Sequence, residues 1–147
     1  MTCATKNEQI EELKLKLLAV GGDSVSPLPY RYLDIVLARG RTFETKGRRL
    51  LRDELHRCPA VAALYYARHY ALDHGGTCEI VTGYGLGDDG MWWPHCWVWD
   101  GKRVIEPNIE PVRYFGTILG TQEAGHFVIG EVFSSLPYYT SGEWRDA

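Results

Sequence analysis

No stretch of this chain approaches the ~20 consecutive apolar residues that a bilayer-spanning helix needs, so a soluble protein without a membrane partner is expected. The opening residues to Val20 also lack the unbroken apolar run of an export signal. Glu8, Glu11, Glu12, Lys14 and Lys16 interrupt it, and a cytoplasmic location is the expectation. There is no C-x-x-C pair, and Cys3, Cys58, Cys78 and Cys96 fall at irregular spacing. A disulfide framework and a structural zinc site are both disfavoured, and no cofactor is expected. Charge of one sign is lacking too. A formal charge of -3 and a pI near 5.9 give no electrostatic reason to expect nucleic acid. The basic cluster Arg39, Arg41, Lys46, Arg48, Arg49 and Arg52 is broken by Glu44, Asp53 and Glu54 and reads as a solvated surface.

What is present is a globular balance: 45% hydrophobic and 24% charged residues over 147 positions suit one domain with a real core. Ile10, Leu13, Leu17 and Val20 at helical spacing, with Gly21 and Gly22 as a stop, predict an amphipathic helix from Asn7 to Val20. Ser24 to Pro29 reads as a connector, and Tyr32 to Ala38 as a second short helix. The stretch from Pro59 to Asp73 is rich in alanine and leucine and is closed by Gly75 and Gly76. Proline suits a first helical turn, which puts Cys58 at that helix's N-terminus.

Cys78 to Tyr84 reads as a strand leading into a glycine-rich loop, Gly83 to Gly90, expected to form a mobile rim. His95 to Trp99 and Lys102 to Glu106 flank Asp100-Gly101, a strong two-residue hairpin signal. The register counted from that turn opposes Trp99 to Lys102, Val98 to Arg103, Trp97 to Val104, Cys96 to Ile105 and His95 to Glu106. Opposed side chains share a face about 5 Å apart. Phe127 to Phe133 reads as a further strand before a polar tail. The expected division is a helical N-terminal segment over 1–46, a core over 47–135 and a loose tail over 136–147.

These placements gather the groups of a thiol nucleophile. A helix N-terminus favours a thiolate at Cys58 through its partial positive charge and unpaired N–H groups. His95 is the imidazole with a partner supplied by register, and Glu106 would hold its ring and stabilise its positive charge. Asn108, on the same face as Glu106, is the alternative orienting residue if a bulge shifts the pairing. The backbone N–H of Cys58 is one expected oxyanion donor. Cys96 points to the opposite strand face from His95 and, like Cys78, is expected to pack in the core.

The order Cys58-Pro59, then His95-Cys96-Trp97, then Glu106-Pro107-Asn108 resembles the transglutaminase-like and papain-like cysteine hydrolase superfamily over roughly residues 50–110. The resemblance implies an α+β fold, with a nucleophile helix packed on a small antiparallel sheet. It implies a nucleophilic Cys58, a base in His95 and an orienting Glu106. The function expected is a thiol hydrolase or acyl transferase acting on an amide: peptidase, deamidase or transglutaminase-like, with a peptide or protein substrate. Trp97, Trp93 and Tyr84 are the aromatics expected to contact that substrate. The competing expectation is a catalytically inactive member of the fold that binds or inhibits a protein through a tryptophan-rich cleft. Substrate identity and oligomeric state have no handle in the sequence.

Overall fold

The computed structural model describes residues 5–26, 32–51, 58–72, 78–107 and 110–140, with the side chains at 58, 60, 69–72 and 132–140 outside that description. The chain is mixed α+β. Helix α1 (Lys6–Val20) begins at a capping box, in which Thr5 and Glu8 each accept the other's backbone N–H, and buries Leu13 and Leu17. Strand β1 (Ser24–Val25), helix α2 (Leu33–Arg39), strand β2 (Arg41–Phe43) and strand β3 (Arg49–Leu50) follow. The later elements are α3 (Cys58–Leu72), β4 (Glu79–Leu86), β5 (Met91–Trp99), β6 (Val104–Glu106), β7 (Arg113–Ile118) and α4 (Thr121–Thr140).

The strands form one sheet in the order β2-β7-β4-β5-β6-β3, with β1 beside β5. Most neighbours are antiparallel, but β1–β5 and β3–β6 run parallel, so the sheet is mixed and larger than the small antiparallel one expected. It curls strongly. A flat sheet would put β2 about 14 Å from β5 at ~4.8 Å per strand step. Yet the Phe43 ring lies edge-on 5.5 Å from Trp97 and 5.2 Å from Trp99. The five residues 44–48 join β2 to β3, and five residues reach at most about 18 Å. The two outermost strands of the path are therefore tethered close together.

Side-chain alternation along β5 divides the interior in two. Trp92, Cys96 and Val98 face the helices. Trp92 joins Leu13, Leu17, Leu33 and Val36 of α1 and α2, while Cys96 and Val98 join Ala62, Ala63, Ala124 and Phe127 of α3 and α4. Alanines at the α3 contact let that helix sit close to the sheet. His95 and Trp97 face the other way, where Trp97 packs with Phe43, Val81, Val104 and Tyr114.

Five expectations are corrected. Residues 1–46 are not purely helical, since β1 and β2 join the sheet against β5 and β7. Gly83 to Leu86 belongs to β4, and the expected loop contracts to the turn 87–90, closed by Gly90 N–H to Gly87 O at 3.1 Å. Phe127 to Phe133 lies in helix α4 rather than a strand. Gly120 N–H donates to Glu123 at the start of that helix, and Ala124 and Phe127 bury one face at helical spacing. That helix continues to Thr140 through the first part of the expected tail, and 141–147 lie outside the described residues.

The hairpin register is the fifth. Trp99 opposes Val104 and Val98 opposes Ile105, so the connection has four residues and every pairing is shifted by two. Asp100 is the cause. Its Oδ1 accepts the N–H of Lys102 at 2.9 Å and of Arg103 at 2.8 Å, and Gly101 takes a positive φ of 92°. The side chain builds the turn around itself in place of a tight two-residue one. These donors and the Arg103 guanidinium outweigh the burial that opposes them and hold the Asp100 carboxyl below its ordinary range.

Candidate functional site

The two-residue shift moves pairings but not faces, because side-chain direction repeats every two residues. His95 and Glu106 remain on one face as diagonal neighbours. His95 Nε2 lies 2.7 Å from Glu106 Oε1, with the side chains 3% and 0% exposed. Asn108, the alternative partner, lies outside the described residues.

Two more residues complete the constellation: Tyr114, which sequence reasoning did not single out, and Arg48, which was expected on a solvated basic surface but is half-buried and hydrogen-bonded. The Tyr114 hydroxyl on β7 donates to the same Glu106 Oε1 at 2.7 Å, and Arg48 Nη1 donates to the Tyr114 oxygen at 3.1 Å and to the Pro111 carbonyl. Tyr114 stands 66 positions from Arg48, and no local pattern joins them; only the curl of the sheet does. Burial and the adjoining Glu106 charge push the Tyr114 phenol well above its ordinary pKa, against the opposing pull of Arg48.

Around the pair the packing is aromatic. The His95 ring stacks on Trp97 at 5.8 Å and 28°, and Trp97 meets Tyr114 edge-on at 4.9 Å. Trp97 Nε1 has no hydrogen-bond partner among the described residues, although the ring is fully buried. On the neighbouring strand, Gly85 leaves room for the site. A Cβ there would stand 2.6 Å from Pro111 Cγ and 3.3 Å from His95 Cδ2.

The aromatics expected at the substrate cleft divide. Trp97 is core, and Tyr84 is 3% exposed on the opposite, helix-facing side of the sheet, where burial pushes its phenol to about 12. Neither stands at an open cleft. Trp93, on the His95 face, is 47% exposed. Cys96 is buried beside Thr82, Oγ1 to Sγ 3.6 Å, and half-buried Cys78 packs against the same cluster. Among the described residues no group of three or more His, Cys, Asp or Glu side chains is arranged to hold a metal ion, and no helix is long and apolar enough to cross a membrane.

Cys58 is the first residue of α3, one turn before Ala62, and its side chain lies outside the described residues. Helix α3 packs on the sheet face opposite His95, since Ala62 and Ala63 join Cys96 and Val98, whereas His95 stacks on Trp97. Burial is the main cause of the raised pKa of Tyr65, against the pull of Arg49 and Arg103. The β1 ladder covers β5 at Met91 and Trp92 and the β6 ladder covers it at Val98 and Trp99, both on the edge away from β4. His95 lies midway between these two ladders. Pro94 is in the same interval, where a strand proline's missing N–H is tolerated.

No family model matches the chain, and no curated protein or solved structure matches it.

Proposed function

We propose that the protein is a cysteine-nucleophile hydrolase or acyl transferase acting on an amide bond, with Cys58 as nucleophile, His95 as base and Glu106 as the residue that orients the base. One observation carries this reading: a buried imidazole hydrogen-bonded through Nε2 to a carboxylate at 2.7 Å. With Nε2 committed to Glu106, Nδ1 is the nitrogen that takes the proton of a thiol. Support for Cys58 as that thiol comes from its place at the first residue of a 15-residue helix, where the helix N-terminus favours a thiolate.

The chemistry follows from the groups. Nδ1 takes the Cys58 proton, and the helix N-terminus stabilises the thiolate. The thiolate attacks the amide carbonyl carbon, a C–S bond forms, and the oxyanion is met by backbone N–H groups including that of Cys58. The C–N bond breaks as the imidazolium gives its proton to the leaving amine. Water or an amine then releases the acyl group from sulfur with His95 as base. Glu106 offsets the imidazolium charge throughout and remains ionised.

An activated acyl ester such as a p-nitrophenyl ester tests the reading. The parent should give a burst of one equivalent of nitrophenolate and an acyl adduct on Cys58 by intact mass. Cys58→Ala should give neither. A parent without a burst, or a burst that survives in Cys58→Ala, excludes the assignment. The alternative of an inactive, partner-binding member rested on a tryptophan-rich cleft, and it is weakened because Trp92 and Trp97 are fully buried.

A further inference from the structure

We infer that the cleft between the C-terminal end of α1 and the end of the β2–β7 pair binds a free amino acid with an apolar side chain, Arg113 taking its carboxylate and Glu44 its ammonium. The site stands apart from the Cys58–His95–Glu106 reading and does not depend on it. The β2–β7 ladder ends where Phe43 opposes Tyr114. One position further out, Glu44 and Arg113 follow on the two strands, a place where opposite charges ordinarily pair. They do not pair here, and the ion pairs among the described residues lie elsewhere. Arg113 Nη1 donates instead to the carbonyl of Val20, the last residue of α1, where the partial negative charge of the helix end attracts a cation. Between the walls so parted lies about 300 Å³ of space, lined by both charged residues and by Val20, Phe43 and Val112. That volume suits a small ligand.

The guanidinium is seated in the cleft wall rather than loose on the surface. Gly21, just past the helix, has an extended φ of 162° that any residue adopts, so its conformation does not call for glycine. What glycine provides is room: a Cβ there would stand 2.9 Å from Arg113 Nη1 and 3.5 Å from its Cζ. With one Nη1 proton given to Val20, the Nε–Nη2 edge keeps the fork that takes a carboxylate in two parallel hydrogen bonds. Glu44 is exposed and has no hydrogen-bond or ion-pair partner among the described residues, which leaves its carboxylate for an ammonium. Val20 and Val112, the latter 52% exposed, offer apolar surface for a side chain. A simple anion would meet repulsion from Glu44 and a simple cation from Arg113. A ligand carrying both charges satisfies both walls.

L-Leucine is the probe, titrated to about 10 mM into the full-length protein, the range in which a weak small-ligand site fills, and read by backbone ¹H–¹⁵N shifts. Saturable shifts should appear at Val20, Gly21, Glu44, Thr45, Val112 and Arg113. Isocaproate, which lacks the ammonium, and isoamylamine, which lacks the carboxylate, should each bind about tenfold more weakly than leucine, the scale of one hydrogen bond to a charged group. Leucine should weaken by a similar factor in Glu44→Gln and in Arg113→Gln. Gly21→Ala keeps both charges and should weaken leucine severalfold by moving the guanidinium from its seat. The absence of shifts at these residues overturns the inference. So does isocaproate binding as tightly as leucine, which would make the cleft an anion site, and so does unchanged leucine affinity in the two charge variants. Glu44 and Arg113 are exposed, so both variants should keep the fold. Should either fail to, the two analogues titrated into the parent decide alone.

Discussion

His95 and Glu106 approach to 2.7 Å across two neighbouring strands without being an opposed pair, because a diagonal neighbour on the same face is within reach of a glutamate and an imidazole. Burying such a pair is costly, and removing one partner strands the other. Glu106→Ala should lower unfolding free energy by about 3–5 kcal/mol in urea titrations, since it removes the carboxylate oxygen that His95 Nε2 and the Tyr114 hydroxyl share. Glu106→Gln keeps one acceptor oxygen and should cost clearly less. Equal losses in the two variants would mean that shape, rather than hydrogen bonding, sets the value of this position.

Alkaline pH should unfold the protein more steeply than the phenols' ordinary titration would suggest. Burial raises Tyr84 to about 12 and Tyr114 higher still, while both titrate near 10 in the unfolded chain. Above pH 10 the unfolded state loses protons that the folded state keeps, so stability is full below 10 and falls as pH rises. Each phenol contributes a slope of roughly 1.4 kcal/mol per pH unit up to its folded pKa. Urea midpoints measured from pH 9 to 11.5 in the parent and in Tyr84→Phe should show the slope reduced in the variant.

Gly85→Ala should destabilise by about 1–3 kcal/mol, as inserted methyl groups in packed interiors do. The new Cβ would meet the Pro111 ring at 2.6 Å and the His95 ring at 3.3 Å. Because Pro111 is also held by Arg48, the variant should perturb the His95 ring resonances as well as the unfolding midpoint. A neutral change in both would mean that the segment carrying Pro111 yields freely.

Asp100→Ala removes the acceptor that organises the β5–β6 connection, and about 1 kcal/mol of stability should go with it. Hydrogen exchange should rise at Lys102 and Arg103 first. Asp100→Asn should retain most of the effect, because an amide oxygen still accepts both N–H groups.

Legibility in the sequence followed the range of the interactions. Helices α1 and α3 were legible because their signals are local: apolar spacing ended by Gly21, and an alanine-rich run after Cys58-Pro59. The β5–β6 hairpin was legible, but not its register, because Asp100-Gly101 signals a tight turn while the Asp100 side chain caps a four-residue one. The error spanned two residues, an even number, so His95 and Glu106 stayed on one face. An odd slip would have separated them.

Strands β1, β2 and β3 have two or three residues each and carry no periodicity of their own; their partners define them. In α4, β-branched Val128 and Ile129 beside Phe127 imitate a strand, while burial of Ala124 and Phe127 against α3 favours the helix. Tyr114 and Arg48 were beyond reach, since their meeting depends on the closure of the sheet by residues 44–48. The expected cleft of Trp97 and Tyr84 failed because the two residues lie on opposite faces: the curled sheet turns the Trp97 face into a core, and helices α1 and α2 cover the face that carries Tyr84.

The central claim is that Cys58 and His95 work as one acid–base unit, and the pH dependence of iodoacetamide labelling at Cys58, followed by peptide mass mapping in the parent and in His95→Ala, tests it most directly. An ordinary thiol titrates near 8.5 and labels slowly at pH 6. Fast labelling of Cys58 near pH 6 in the parent, lost in a folded His95→Ala variant, is the predicted result. Slow labelling in the parent, or the same profile with and without His95, would contradict the account and leave the His95–Glu106 pair as an element of structure alone.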